Sequence, residues 1–310
     1  NVYRCLRIVL IVGLIIGILS WIEYLSRSYI IGTFSTTIFY TGGYGFRSAV
    51  FSRSYLAHGV VLGFYALVAF YFYITEKNKK YLIAAIFLYL SILTTSSRGP
   101  LVVCLAAIFL MYIMNMKRMA QPMNKKIGMW FGIIIAVIII FFILTSSFKT
   151  GNETIDYFLY RTRNIINWSE DAGNVGRIGI WNRCFERIKE NLWFGTGPAT
   201  TGSWGGASYG VTESDILRYL CELGIIGIVL IYTFLINIIK YGAKSYRRLT
   251  TGEKALGILF FGIVLMVFVD GITLQVTEEI MVSFIYSVGL GGLLSLRHQS
   301  VLNNRKDVYK

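Results

Sequence analysis

Residues 133–144 read Ile-Ile-Ile-Ala-Val-Ile-Ile-Ile-Phe-Phe-Ile-Leu, without one polar side chain. The run lies inside 127–146, and a helix of about 20 apolar residues crosses a hydrocarbon core of about 30 Å. Seven further runs have the same character: 6–22, 57–75, 81–96, 99–116, 214–238, 255–275 and 279–296. A chain with this pattern cannot hide its apolar faces from water in a soluble core. The expected fold is all-α: a polytopic integral membrane protein of about eight transmembrane helices, forming one membrane-embedded domain over 1–310. The pair 81–116 must turn tightly near Ser97-Arg98-Gly99-Pro100. Charged residues make up 15% of the chain, against about 25% in soluble domains. Mean hydropathy is +0.60. Asn1 rather than Met stands first, so the chain is expected to lack an N-terminal piece, and a cleaved signal peptide is not expected.

Charge gives a direction. With the N-terminus placed in the cytoplasm, eighteen of the 30 basic residues fall on that side, facing only Glu76, Glu253 and Asp307. Every short inner loop is then basic, as the positive-inside rule requires, and both ends of the chain are cytoplasmic. The net charge of +14 is explained by membrane orientation and calls for no nucleic-acid partner. The segments 23–56 and 147–212 are too polar to span and fall outside. Long loops of this kind are usually functional.

Within 147–212, Ile178, Trp181, Phe185, Ile188 and Leu192 step by three and four, one apolar face of an amphipathic helix. Asn174 is its expected N-cap, and Trp and Phe on that face suit docking on the membrane surface or the bundle. Gly195-Thr196-Gly197-Pro198 ends it. A second short helix is expected around 153–166. The Gly-rich stretch 199–210 reads as a mobile loop, a candidate lid.

The chemistry-bearing candidates sit at the outer ends of spans. Glu213 precedes the sixth span. Asp215, Arg218 and Glu222 follow on one helical face, in a setting where charge is expensive and turns toward a bundle interior or a wet cavity. An internal ion pair is the alternative reading for Arg218 and Glu222. Arg98 lies at an outer turn, against the inside bias. It serves either as a snorkelling lipid contact or as a fixed guanidinium for a phosphate. Arg47 and Arg53 flank Phe51 just before the second span, and with Arg177 and Arg183 they make an outward basic cluster. Each alone reads as a solvated loop charge. His58 is a weaker candidate base, and His298 a solvated tail residue. Cys5, Cys104, Cys184 and Cys221 form no C-x-x-C pair, so neither a disulfide framework nor a zinc site is expected. No P-loop, Rossmann fingerprint, H-E-x-x-H or D-x-D motif occurs, which argues against ATP, nicotinamide cofactors and a D-x-D metal.

Four pieces, in order, resemble the O-antigen ligase and Wzy-type polysaccharide polymerase family. They are Phe46-Arg47 through Tyr55–Gly59, the Ser97-Arg98-Gly99 turn, Arg177 through Phe194-Gly-Thr-Gly197, and Glu213-Ser214 followed after nine residues by Gly224-x2-Gly227. The resemblance runs from about residue 44 to 240. It implies a GT-C-like membrane glycosyltransferase of the bacterial cytoplasmic (inner) membrane. Such an enzyme acts on the outer face on undecaprenyl-diphosphate-linked glycans, without a cofactor. Ligases of the family carry His where this chain has Glu213, which favours a polymerase of O-antigen, capsule or exopolysaccharide over a ligase; a lipid-glycan flippase would need ionisable groups through both leaflets, whereas those here cluster at the outer half. Spans missing at the N-terminus are implied as well. The expected roles are Glu213, Arg98 and Arg177 as catalytic residues, Arg47, Arg53 and Arg218 as diphosphate or glycan contacts, and no metal. The lipid bilayer and a chain-length regulator are the further candidate partners.

Overall fold

The computed structural model describes residues 2–30, 46–52, 54–118, 172–202, 210–246 and 249–308. The expected span 127–146, the helix expected at 153–166, Arg53 and the loop tip 203–209 lie outside these residues. Among the described residues the chain is helical, with no strand. It is an all-α polytopic membrane protein. The helices are α1 (Val2–Ser26), α2 (Tyr55–Glu76), α3 (Lys79–Ser91), α4 (Arg98–Arg118), α5 (Ala172–Glu190), α6 (Asp215–Tyr246), α7 (Thr251–Thr273) and α8 (Ile280–Val308). Five of them, α1, α2, α4, α6 and α7, are long and apolar enough to span a membrane, and 280–296 in α8 is a shorter apolar stretch.

α2 is the central rod. Ser54 caps its start by accepting from the Leu56 amide, and left-handed Lys77 ends it. Its residues Val60, Leu62, Leu67 and Phe72 are fully buried, packed by α1, α3, α4 and α7. Asn78 starts α3, which tightens through a 3-10 turn at Ile92–Thr95. There the Thr94 and Thr95 hydroxyls donate back to the Ser91 and Ile92 carbonyls, each at 2.7 Å. Left-handed Ser96 ends that turn, and α4 begins at Arg98. The hairpin expected at Ser97–Pro100 therefore forms, built from hydroxyl groups that satisfy the backbone where the helix stops. A capping box at Thr250 and Glu253 starts α7.

The bundle has two chemically different ends. Arg7 meets Glu76 at 3.2 Å, beside the Lys77–Lys80 turn. The opposite end gathers the starts of α4 and α6 with the end of α7. There the fully buried Glu23 acts as a clasp. Its Oε2 accepts from Ser48 Oγ (2.9 Å), Ala49 N (3.1 Å) and Val50 N (3.0 Å), and its Oε1 from Ile30 N (3.2 Å). The Ser48 amide donates to the Thr94 carbonyl at 3.0 Å. The strand-like stretch that carries Arg47 is thereby fixed between α1 and the α3–α4 turn.

α6 is not one continuous helix. Gly224 has φ 64° and ψ −169°, which separates an outer piece, 215–223, from the long apolar piece that follows. Breaking a helix near hydrocarbon frees backbone groups that cost several kcal/mol each if left bare. The turn at 192–197 pairs them. Thr196 N donates to Cys221 O (2.8 Å) and Gly197 N to Glu222 O (3.0 Å), while Ile225 N and Ile226 N donate to Leu192 O (2.9 Å) and Trp193 O (3.3 Å). The backbones touch so closely that a Cβ on Gly195 would sit 2.4 Å from Glu222 C, and one on Gly224 2.4 Å from Trp193 C. Both glycines also have positive φ. The G-T-G and G-x-x-G signatures are thus the two halves of one joint.

α5 forms where the periodicity placed an amphipathic helix, but it begins at Ala172, so Asn174 lies inside it rather than capping it. Trp181 of α5 packs against the bundle, while Phe185 is 48% exposed.

Gly224→Ala is expected to cost more than the about 1–2 kcal/mol of a left-handed φ alone, because the overlap is with backbone. Gly176→Ala, where nothing lies within 4 Å, should be neutral or stabilising. Thermal unfolding in detergent, followed by Trp fluorescence, separates the two. Glu23→Ala leaves buried donors without an acceptor and should lose about 3 kcal/mol or more in the same measurement. Equal midpoints for Glu23→Ala and wild type would refute the clasp.

Candidate active site

A cleft opens at the end of the bundle that carries the Glu23 clasp. Three guanidinium residues line it: Arg47 from the clasped stretch, Arg98 at the first position of α4, and Arg177 from α5. Tyr55, Leu56, Ser96, Ser97, Gly99, Thr273 and Leu274 complete the lining. These residues are far apart in the chain, and each is delivered by a different device. The Arg47 guanidinium lies 4.3 Å from the Tyr55 ring centroid, a cation–π contact that holds it at the wall. Arg98 is placed by the hydroxyl-built turn. Arg177 is placed by an ion pair: its Nε donates to Glu213 Oε2 at 2.8 Å, with both side chains about 30% exposed.

Glu213 stands at the doorstep of α6 with φ 56°, an uncommon conformation for a residue with a Cβ. Such strain persists only where the surroundings enforce it, and it points to function. Here Ser214 begins the helix behind it, and Thr212 is pinned by Gln275 at 3.0 Å through both its amide and its hydroxyl. Glu213 itself is not in the cleft wall; it reaches the cleft through Arg177.

The structure brings together Arg47, Arg98, Arg177 and Glu213, as the sequence suggested. It does not bring Arg218 into the cleft wall. Arg218 Nε lies 3.6 Å from Glu222 Oε2, and Glu222 Oε1 accepts from the Thr201 amide (3.2 Å) and hydroxyl (2.7 Å). Asp215, on the same face, accepts from Thr277 Oγ1 at 2.8 Å. Asp215 and Glu222 thereby tie α6 to neighbouring loops, while Arg218 pairs within the helix. The flanks of the stretch read as a lid are held as well: Gly202 N donates to Gly210 O at 2.8 Å. His58 is buried, with Nε2 at 2.6 Å from Ser20 Oγ, and does not line the cleft. His298 is exposed.

Two acids were not singled out from sequence. Glu23 is the clasp described above. Asp270, near the end of α7, is fully buried behind the cleft, and neither of its oxygens has a hydrogen-bond partner. A Cβ on Gly99 would lie 2.7 Å from its Oδ1. Asp215 is close by, since a Cβ on the adjoining Gly271 would lie 2.7 Å from Asp215 Oδ2. The signal for Asp270 was a lone acid inside an apolar run, the pattern that marks intramembrane function. Among the described residues no three His, Cys, Asp or Glu side chains gather as a metal-binding group.

Chemically, the cleft offers delocalised positive charge to an oxyanion beside a carboxylate able to accept a proton. No curated protein matches the chain. A family model described as O-antigen ligase matches residues 82–232. The match takes in most of α3, the Arg98 turn, Arg177, the G-T-G joint and Glu213, and this part of the chain is similar to the O-antigen ligase family.

Proposed function

We propose that this protein polymerises undecaprenyl-diphosphate-linked oligosaccharide repeat units on the outer face of the bacterial cytoplasmic membrane. The observation that carries the reading is the convergence of Arg47, Arg98 and Arg177 on one cleft, with Glu213 bonded to Arg177 at 2.8 Å. In the reaction, an acceptor sugar hydroxyl attacks the anomeric carbon of the donor glycan. The new glycosidic C–O bond forms as the anomeric C–O bond to phosphate breaks. The leaving group is undecaprenyl diphosphate, and its growing negative charge falls among the guanidiniums, the kind of stabilisation that usually dominates such catalysis. Glu213 takes the hydroxyl proton. The basic turn Lys77–Lys80 at the opposite end of the bundle supports an outward-facing cleft.

Polymerase is preferred over ligase because Glu213 stands where the ligases this chain resembles carry His. Transfer of the glycan to lipid A core or protein remains the second reading, favoured by the family description itself. A flippase would call for a charged path through both leaflets, whereas the clustered charges here sit at one end.

The test is reconstitution of the protein in nanodiscs with undecaprenyl-diphosphate repeat units, without added metal or nucleotide, and gel analysis of the glycans. A ladder of rising length is expected. Product only after addition of lipid A core or protein acceptor would replace polymerase with ligase, and no product under either condition would overturn glycosyl transfer. Glu213→Gln should lower the rate at least about 100-fold. Arg98→Lys keeps the charge but loses the bidentate fork, and should lower it roughly 10-fold or more. Full activity in either variant would remove that residue from the mechanism.

A further inference from the structure

α5 lies along the outer piece of α6 in register, and the contacts form a ladder. Arg177 pairs with Glu213. One turn on, Ile180 and Trp181 pack with Leu217. The next rung is Cys184 against Cys221. Both are 2% exposed. Cys221 Sγ donates to the Cys184 carbonyl oxygen at 3.8 Å, so the Cys221 thiol lies against residue 184. With Ile188 and Leu217 they form a small buried cluster of their own. The remaining cysteines cannot compete: Cys104 is buried in α4 against Gly63, and Cys5 is exposed at the far end of α1. Spacing alone gave no hint of this pairing, since 37 residues separate the two.

We propose that Cys184 and Cys221 are a disulfide-forming pair that, once oxidised, clamps α5 and with it Arg177 onto the active site. The inference rests on the proposed outward orientation, which places the pair in the oxidising compartment where such bonds persist. The oxidant is an external disulfide, either a protein dithiol oxidase or oxidised glutathione. The Cys184 thiolate attacks one sulfur of that disulfide, forming a mixed disulfide and releasing one thiol, which carries the Cys184 proton. The Cys221 thiolate then attacks Cys184 Sγ, closes the intrachain bond and releases the second thiol with the Cys221 proton. Two cysteines are oxidised and one disulfide is reduced. The order follows from the surroundings of Cys184. Its hydrogen bond with Cys221, aided by the Arg187 and Arg183 guanidiniums, holds its thiol below the usual value, and the thiolate is the attacking species. Both sulfurs are buried, so exchange takes place with α5 lifted from α6.

The test uses the full chain, purified under reducing conditions and then incubated with oxidised glutathione at pH 8. The sample is acid-quenched, denatured, alkylated and digested for mass spectrometry. A Cys184–Cys221 linked peptide is expected, with Cys104 still alkylated. The thermal midpoint should rise by several degrees and fall back on adding dithiothreitol, with no such response in Cys184→Ser. Full alkylation of both cysteines, or separate glutathione adducts on each, would overturn the proposal. Neither readout uses glycan transfer. A ladder without the linked peptide defeats this inference alone, and a linked peptide without glycan product defeats the proposed function alone.

Discussion

Everything at the active end of this molecule depends on how the backbone is satisfied where α6 is broken. A helix that stops inside or beside hydrocarbon leaves amides and carbonyls that water cannot reach. Here the turn at 192–197 supplies partners for two carbonyls and two amides. The same contact fixes where α5 ends and where the outer piece of α6 begins, and therefore where Arg177 and Glu213 meet. Side chains decide the chemistry, but a backbone joint decides their address.

The cationic residues of the cleft come from three separate elements, each with its own support. Arg47 depends on a carboxylate in α1, Arg98 on threonine hydroxyls that end a 3-10 turn, and Arg177 on Glu213. Supports of this kind let like charges stand close together before any anion arrives. Arg47 and Arg177 already have side-chain partners, so an incoming anion need not order them anew.

Five of the eight expected spans were legible because hydrocarbon imposes a simple demand on composition. The tight turn at Ser97–Pro100 and the amphipathic α5 were legible because their signals are local. Arg98 and Glu213 could be nominated from position at span ends, Arg47 from its place just before a span, and Arg177 from the family resemblance. What could not be read was pairing across distance. Nothing near Glu23 announces that it will organise residues 48–50, and nothing near Gly195 announces Gly224 as its partner. Asp215, Arg218 and Glu222 looked like one functional face; Arg218 and Glu222 form the internal ion pair that the spacing also allowed, while Thr277 and Thr201, the partners of Asp215 and Glu222, lie on loops whose proximity only the fold creates. Asp270 was visible as an acid in an apolar run, yet its burial behind Gly99 depends on how α7 crosses α4.

The joint at Gly224 has a mechanical consequence. Beyond it, α6 presents Val229, Leu230 and Phe234 outward, and such a segment tilts to suit the thickness of whatever bilayer surrounds it. A continuous helix would transmit that tilt directly to Glu213. Here the long piece and the outer piece are coupled through a left-handed glycine and a few backbone contacts, while the outer piece is anchored separately to α5 and to Thr277. The proposed reaction centre is in this way insulated from the lipid composition in which the rest of the helix floats.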